Sequence, residues 1–106
     1  VSEAGQGSFL AVLKKLGTDT HRFSFPMAGY TLALDFPVSD KVLSLMTELD
    51  AVTLDHGGRF YLAKDARMTD TTLRASDDRA EGFANMRAKS GAGHAFASRQ
   101  SERLKL

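Results

Sequence analysis

Apolar and polar positions alternate most cleanly over residues 30–36, Tyr-Thr-Leu-Ala-Leu-Asp-Phe. Leu32, Leu34 and Phe36 fall on one face and Thr31, Ala33 and Asp35 on the other, which is the period of a strand, and Pro37 closes it. Residues 8–16, Ser-Phe-Leu-Ala-Val-Leu-Lys-Lys-Leu, form a denser apolar run that suits either a buried strand or two turns of helix. Its shortness, its Phe and Val content and the Gly17 stop favour the strand. Leu10, Val12, Lys14 and Leu16 then share one face. A lysine on such a face either snorkels to solvent or aims its charge into a cleft. Between these runs, residues 17–21 read as a turn and residues 22–26 as extended, because the residue before Pro26 is pushed toward β geometry. Residues 27–29 make a second bend.

Val42, Leu45, Met46, Leu49 and Val52 recur at the three-and-four spacing of an amphipathic helix. Its start is capped by Ser39 or Asp40, it runs to about Asp55, and His56-Gly57-Gly58 ends it with a glycine free to take the left-handed cap. Arg59 to Ala63 then reads as a further short strand, ending in the charged group Lys64-Asp65-Ala66-Arg67. From Asp70 the pattern weakens. Residues 71–75 and 78–89 predict short helices, 90–93 a flexible break, and 96–106 a tail with a last helical turn. The predicted fold class is α+β: a largely antiparallel sheet with one long amphipathic helix and a helical C-terminal tail. The final third holds too few apolar residues to build a core alone.

Composition narrows the chemistry. With 106 residues there is room for one domain, and 42% hydrophobic content supports a modest core. Charged residues make up 25%, yet the net charge is only +1, which gives no electrostatic case for a nucleic-acid partner. The basic lean of Arg87, Lys89, Arg99, Arg103 and Lys105 has no interleaved aromatics and reads as a solvated tail. The absence of cysteine removes disulfides, thiol catalysis and cysteine-based metal sites, and is compatible with a cytoplasmic protein. No apolar run approaches the length of a membrane span. His21, His56 and His94 lie in turns without ligand spacing, so no metal site is expected. No serine sits in a nucleophile elbow, and Gly91-Ala92-Gly93 lacks the preceding strand of a phosphate loop.

Lys64 is the residue that remains. At a strand end it has two readings: an ion pair with Asp65 or Asp35, or a cation in a partly dry pocket that stabilises developing negative charge. Tyr61 could add a phenolic hydrogen bond to the same site. Strict alternation separates Tyr61 from Lys64, so sharing a ligand requires the strand to end or turn near Ala63.

Three stretches carry a resemblance. Residues 7–17 (Gly-Ser-Phe-Leu-Ala-Val-Leu-Lys-Lys-Leu-Gly), 24–37 (Ser-Phe-Pro-Met-Ala-Gly-Tyr-Thr-Leu-Ala-Leu-Asp-Phe-Pro) and 57–67 (Gly-Gly-Arg-Phe-Tyr-Leu-Ala-Lys-Asp-Ala-Arg) make up about a third of the chain. In order and spacing they resemble the C-terminal part of FAD-linked oxidases of the vanillyl-alcohol oxidase superfamily, in the family of decaprenylphosphoryl-β-D-ribose 2′-oxidases and related sugar and lactone oxidases. Residues 96–106 also resemble the C-terminus of those enzymes. The resemblance implies an FAD-dependent oxidoreductase acting on a secondary alcohol of a sugar, sugar lactone or polyprenyl-phosphate sugar. It further implies that the FAD-binding domain lies N-terminal to this chain, which opens on Val-Ser-Glu-Ala-Gly-Gln-Gly. Residues 1–58 would belong to the substrate domain, and 59–106 would return to the flavin domain. Lys64 matches the family lysine beside flavin and substrate, and Tyr61 a tyrosine of the same site. Leu10, Val12 and Lys14 match a strand lining the substrate pocket. Thr31 stands where asparagine is common and Ala33 where some members have cysteine, which leaves the substrate open. The parent enzyme would be cytoplasmic, with a peripheral place at the inner membrane face left open. By itself the chain is expected to lack flavin and activity, and to dimerise over apolar surface made for the missing domain. The alternative is a stand-alone, non-catalytic α+β interaction domain.

Overall fold

The computed structural model describes all residues from Val1 to Leu106. The fold is α+β, with a two-stranded antiparallel sheet and five helices. The chain divides into two compact units, one formed by residues 1–20 and 26–52 and the other by residues 21–25 and 53–106.

In the first unit, β1 (Leu10–Leu16) pairs with β2 (Gly29–Asp35) in the register Leu10 to Asp35, Val12 to Ala33, Lys14 to Thr31. Both runs become strands because each lends its N–H and C=O groups to the other. Ser8 locks the open end: its hydroxyl accepts from the Asp35 N–H at 3.0 Å and lies 2.9 Å from the Asp35 carbonyl. The helix α1 (Asp40–Asp55) follows. Ser39 caps its start by accepting from the Val42 N–H at 3.3 Å, and Val42 and Leu45 are its buried residues.

The helix α1 stops in a Schellman motif. The Gly57 N–H reaches the Leu54 carbonyl at 3.0 Å and the Gly58 N–H reaches the Thr53 carbonyl at 2.8 Å. Gly57 takes the left-handed conformation at φ 65°, which a glycine adopts without steric cost. At Gly58 a Cβ would lie 2.7 Å from Thr53 Cγ2 and 3.1 Å from the Thr53 carbonyl oxygen, so glycine is also required by close approach.

The second unit is helical. It holds α2 (Asp70–Ser76), α3 (Arg79–Lys89), α4 (Ala92–Ala95) and α5 (Arg99–Leu104). Thr69 caps α2 through the Thr72 N–H, and Ser98 with Ser101 forms a capping box at the start of α5. Its core is Met68, Leu73, Ala80 and Leu104, with Phe23, Phe60, Leu62 and Leu106 packed against them. The last third thus shares its core with residues that precede it in sequence. None of the helices is long and apolar enough to cross a membrane.

Three local expectations are corrected. Residues 59–63 are not a strand: no neighbouring strand exists in this unit to pair with them, and the chain instead folds into a 3-10 turn over Leu62–Lys64. Residues 22–26 form bends rather than an extended segment. Arg79 holds them by donating to the main-chain oxygens of His21 at 3.3 Å and Ser24 at 2.6 Å. The basic C-terminal stretch is no solvated tail. Arg87 donates to the main-chain oxygens of Phe96 and Leu106, Arg103 to that of Met68, and Lys105 pairs with Asp70 at 2.5 Å.

Candidate functional site

The residues singled out from sequence fall into two groups, one in each unit. In the hairpin, residues directly opposite each other point to the same side of the sheet. The pairs Val12–Ala33 and Lys14–Thr31, with Leu10 opposite Asp35, therefore place Leu10, Val12, Lys14, Thr31 and Ala33 on one face. Asp35 and Leu16 share that face, so it combines a cation, a carboxylate and a hydroxyl with the apolar side chains of Leu10, Val12, Leu16 and Ala33. It can offer charge and hydrogen bonds to a phosphate or a sugar hydroxyl, and an apolar surface beside them.

Tyr61 and Lys64 lie in the second unit. Tyr61 is extended (φ −84°, ψ 98°), and the next three residues wind into the 3-10 turn. The Lys64 N–H closes on the Tyr61 carbonyl at 3.1 Å, and the Asp65 N–H on Leu62 at 3.3 Å. The 3-10 turn starts only after Tyr61, whose ring packs on Phe25, and no contact joins the Tyr61 and Lys64 side chains. The Lys64 side chain is exposed and makes no ion pair. Of the two expected partners, Asp65 is directed elsewhere and Asp35 makes no ion pair with Lys64. Asp65 Oδ1 accepts from the main-chain N–H of Arg67 at 3.2 Å and of Met68 at 2.9 Å, and Oδ2 meets Arg103 at 2.8 Å.

Electrostatics follow that geometry. Partial burial raises the Asp65 pKa, but the hydrogen bonds from Met68, Arg103 and Arg67 and the charge of Arg103 outweigh it and hold the carboxyl below its usual range. Asp77, the one buried charged residue, behaves in the same way: burial pushes up, while hydrogen bonds and charge from Arg79, with Arg59 beyond, pull it further down. Both carboxylates are met by arginines, and neither pairs with Lys64.

Tyr61 also forms a wall of a cavity of about 160 Å³, shared with Phe25, Phe60, Arg59, Ala63 and Asp77. The Phe25 and Tyr61 rings sit 5.1 Å apart and tilted, and Phe23 stacks on Phe83 at 4.7 Å. Lys64 does not line this cavity. No three His, Cys, Asp or Glu side chains are grouped so as to hold a metal ion. Sequence reasoning missed Gln100 and Arg103, whose side chains reach back to the Lys64 turn. Their three-residue spacing on α5 was visible, but nothing in it pointed to residues 62–68.

The chain is therefore an α+β segment with a mixed sheet face in its first unit. Its second unit has an exposed Lys64 on a 3-10 turn, and Tyr61 in the wall of an aromatic cavity that Lys64 does not line. The motif resemblance is matched by whole-chain similarity to the decaprenylphosphoryl-β-D-ribose oxidase of Mycolicibacterium smegmatis: 36% identity over 107 residues, covering all of this chain and 23% of that enzyme. A protein of Streptomyces coelicolor, described as an uncharacterized protein in the mprA 5′ region, is 31% identical over 108 residues, which is 29% of its length. The chain spans less than a third of either relative. No family model matches it.

Proposed function

We propose that this chain is the C-terminal part of an FAD-dependent oxidoreductase that oxidises a secondary alcohol of a sugar, sugar lactone or polyprenyl-phosphate sugar. The observation that carries this reading is the similarity, along the entire chain, to a decaprenylphosphoryl-β-D-ribose oxidase. On this reading residues 1–58 serve the substrate domain and 59–106 return to the flavin domain.

The turn residues suit a flavin neighbour. An exposed ammonium without an internal carboxylate and a half-exposed phenol one 3-10 turn away are donors in want of an electron-rich partner. FAD, when bound, supplies the acceptor for the hydride leaving the alcohol carbon. Lys64 places positive charge where negative charge builds during that transfer, and Tyr61 orients a hydrogen bond to the same site. On the sheet face, Lys14 and Thr31 would donate to phosphate or hydroxyl oxygens of the substrate, with Leu10, Val12 and Ala33 as the apolar surface beside them.

The test is made on the full-length protein. It is expected to purify yellow, and Lys64→Ala is expected to slow flavin reduction by about 100- to 1,000-fold with the flavin content unchanged. A colourless protein, or unchanged reduction in Lys64→Ala, overturns the reading. The exposed sheet face bearing Leu13, Tyr30 and Leu32 favours a second reading, a non-catalytic interaction domain. A colourless full-length protein would support it.

A further inference from the structure

The turn that presents Lys64 has little to hold it from within. It spans three residues and is closed by two main-chain hydrogen bonds of 3.1 and 3.3 Å. A single 3-10 turn with such bonds is weakly self-supporting. Its support comes from α5. The Gln100 carboxamide donates through Nε2 to the Leu62 carbonyl at 2.5 Å and lies 3.4 Å from that of Asp65, so it grips the turn on both sides of Ala63 and Lys64. Three residues along, on the same face of α5, Arg103 donates to the Asp65 carboxylate at 2.8 Å and to the Met68 main-chain oxygen. Asp65 in turn holds the Arg67 and Met68 N–H groups.

α5 is itself anchored. The Ser98–Ser101 capping box sets its first turn, and Leu104 is fully buried beside Met68 in the core. A rigid path thus runs from the core through α5 to the main chain on either side of Lys64. No comparable contact restrains the Lys64 side chain, so the position of its ammonium is set by the backbone beneath it.

We infer that Gln100 and Arg103 are positioning residues that hold the Lys64 turn in register for hydride transfer, an inference that rests on reading Lys64 as the site cation. Misplacing a charged group by about 1 Å is enough to cost on the order of 100-fold in rate. Removing the Gln100 grip therefore acts on the chemical step and leaves substrate affinity, supplied by the sheet face, nearly alone.

The experiment has two arms. In this chain, Gln100→Leu is compared with wild type by amide hydrogen exchange. The Lys64 and Asp65 amides are expected to exchange about 10-fold faster, while the Leu73 and Asp77 amides of α2 keep their protection. Equal exchange at 64 and 65 overturns the proposal, as does loss of protection throughout, because Gln100 would then support the whole unit rather than the turn. In the full-length flavoprotein, Gln100→Leu is expected to lower the flavin-reduction rate constant about 10- to 100-fold, with KM within about 3-fold and no further loss in a Lys64→Ala background. Arg103→Lys, which keeps a cation for Asp65 but loses the fork, is expected to show a smaller loss. Unchanged reduction in Lys64→Ala overturns the underlying reading. Slow reduction in Lys64→Ala combined with wild-type rates, or fully additive losses, in Gln100→Leu overturns the positioning role alone.

Discussion

Asp77 shows how much a single side chain carries in the second unit. It is only 8% exposed, yet its charge is matched: Arg79 reaches Oδ1 through Nε at 2.8 Å and Oδ2 through NH2 at 2.7 Å, with Arg59 at 3.8 Å. Asp65 stands in the same relation to Arg103. Both carboxyls have lowered pKa values in the folded chain. The unfolded chain therefore binds these protons more readily than the folded one. The stability they contribute is complete above the ordinary aspartate value of about 3.9 and is lost as pH falls through the lower folded values. Thermal or urea unfolding followed from pH 6 to 3 is expected to show the second unit weakening below about pH 4. Asp77→Asn should be less stable at neutral pH by about 1–3 kcal/mol, since it strands two arginines. It should also flatten the acid limb. An unchanged limb would mean that other carboxyls control it.

At the scale of elements, the two ends of α1 were legible and the connection after it was not. Ser39, Gly57 and Gly58 are residue types whose local chemistry dictates a cap or a stop, whatever the surroundings. Gly57→Ala is accordingly expected to cost about 1 kcal/mol, because it forces a Cβ into the left-handed region. Gly58→Ala should cost more, through its clash with Thr53. Chemical denaturation of the two variants ranks them, and an equal or reversed order would contradict the Schellman geometry. Ser98→Ala tests the other end and should lose about 1 kcal/mol with the α5 cap. Residues 59–63 misled because Phe60 and Leu62 sit two apart, as in a strand. In the structure both pack on the Met68–Leu104 cluster, and the Leu62 carbonyl bonds to Gln100 instead of a ladder. A strand needs a neighbour to take its N–H and C=O groups, and here a helix side chain takes one of them.

Across the whole molecule, the first unit leaves one sheet face open. Leu13 is 67% exposed, Leu32 opposite it 59%, and Tyr30 nearby 71%. Contiguous apolar surface of this kind drives association in water. The 106-residue chain alone is expected to elute at a size that grows with concentration, and Leu13→Ser with Leu32→Ser should abolish that dependence. Concentration-independent monomer in the wild type would show that this face is tolerated in water. The five sheet residues Leu10, Val12, Lys14, Thr31 and Ala33 lie on the opposite side and should be untouched by the change.

What the sequence determined by itself is what neighbouring residues can decide. The second strand followed from period-two alternation, the first from its length, its Phe and Val content and the Gly17 stop, and α1 from its apolar spacing and its caps. The flexible break expected over residues 90–93, by contrast, is only a turn at Ser90 and Gly91, because Ala92 and Gly93 already open α4. The side-by-side placement of the five sheet residues was implicit in the pairing of two alternating strands. Tertiary structure alone decided that Lys64 rides on a 3-10 turn, that Asp65 turns to Arg103, and that the basic C-terminal stretch is tied down. These contacts join residues as far as 38 positions apart. Most of them end on main-chain carbonyl oxygens. Every residue has such an oxygen, so an arginine or glutamine that seeks one leaves no complementary side chain in the sequence to reveal it.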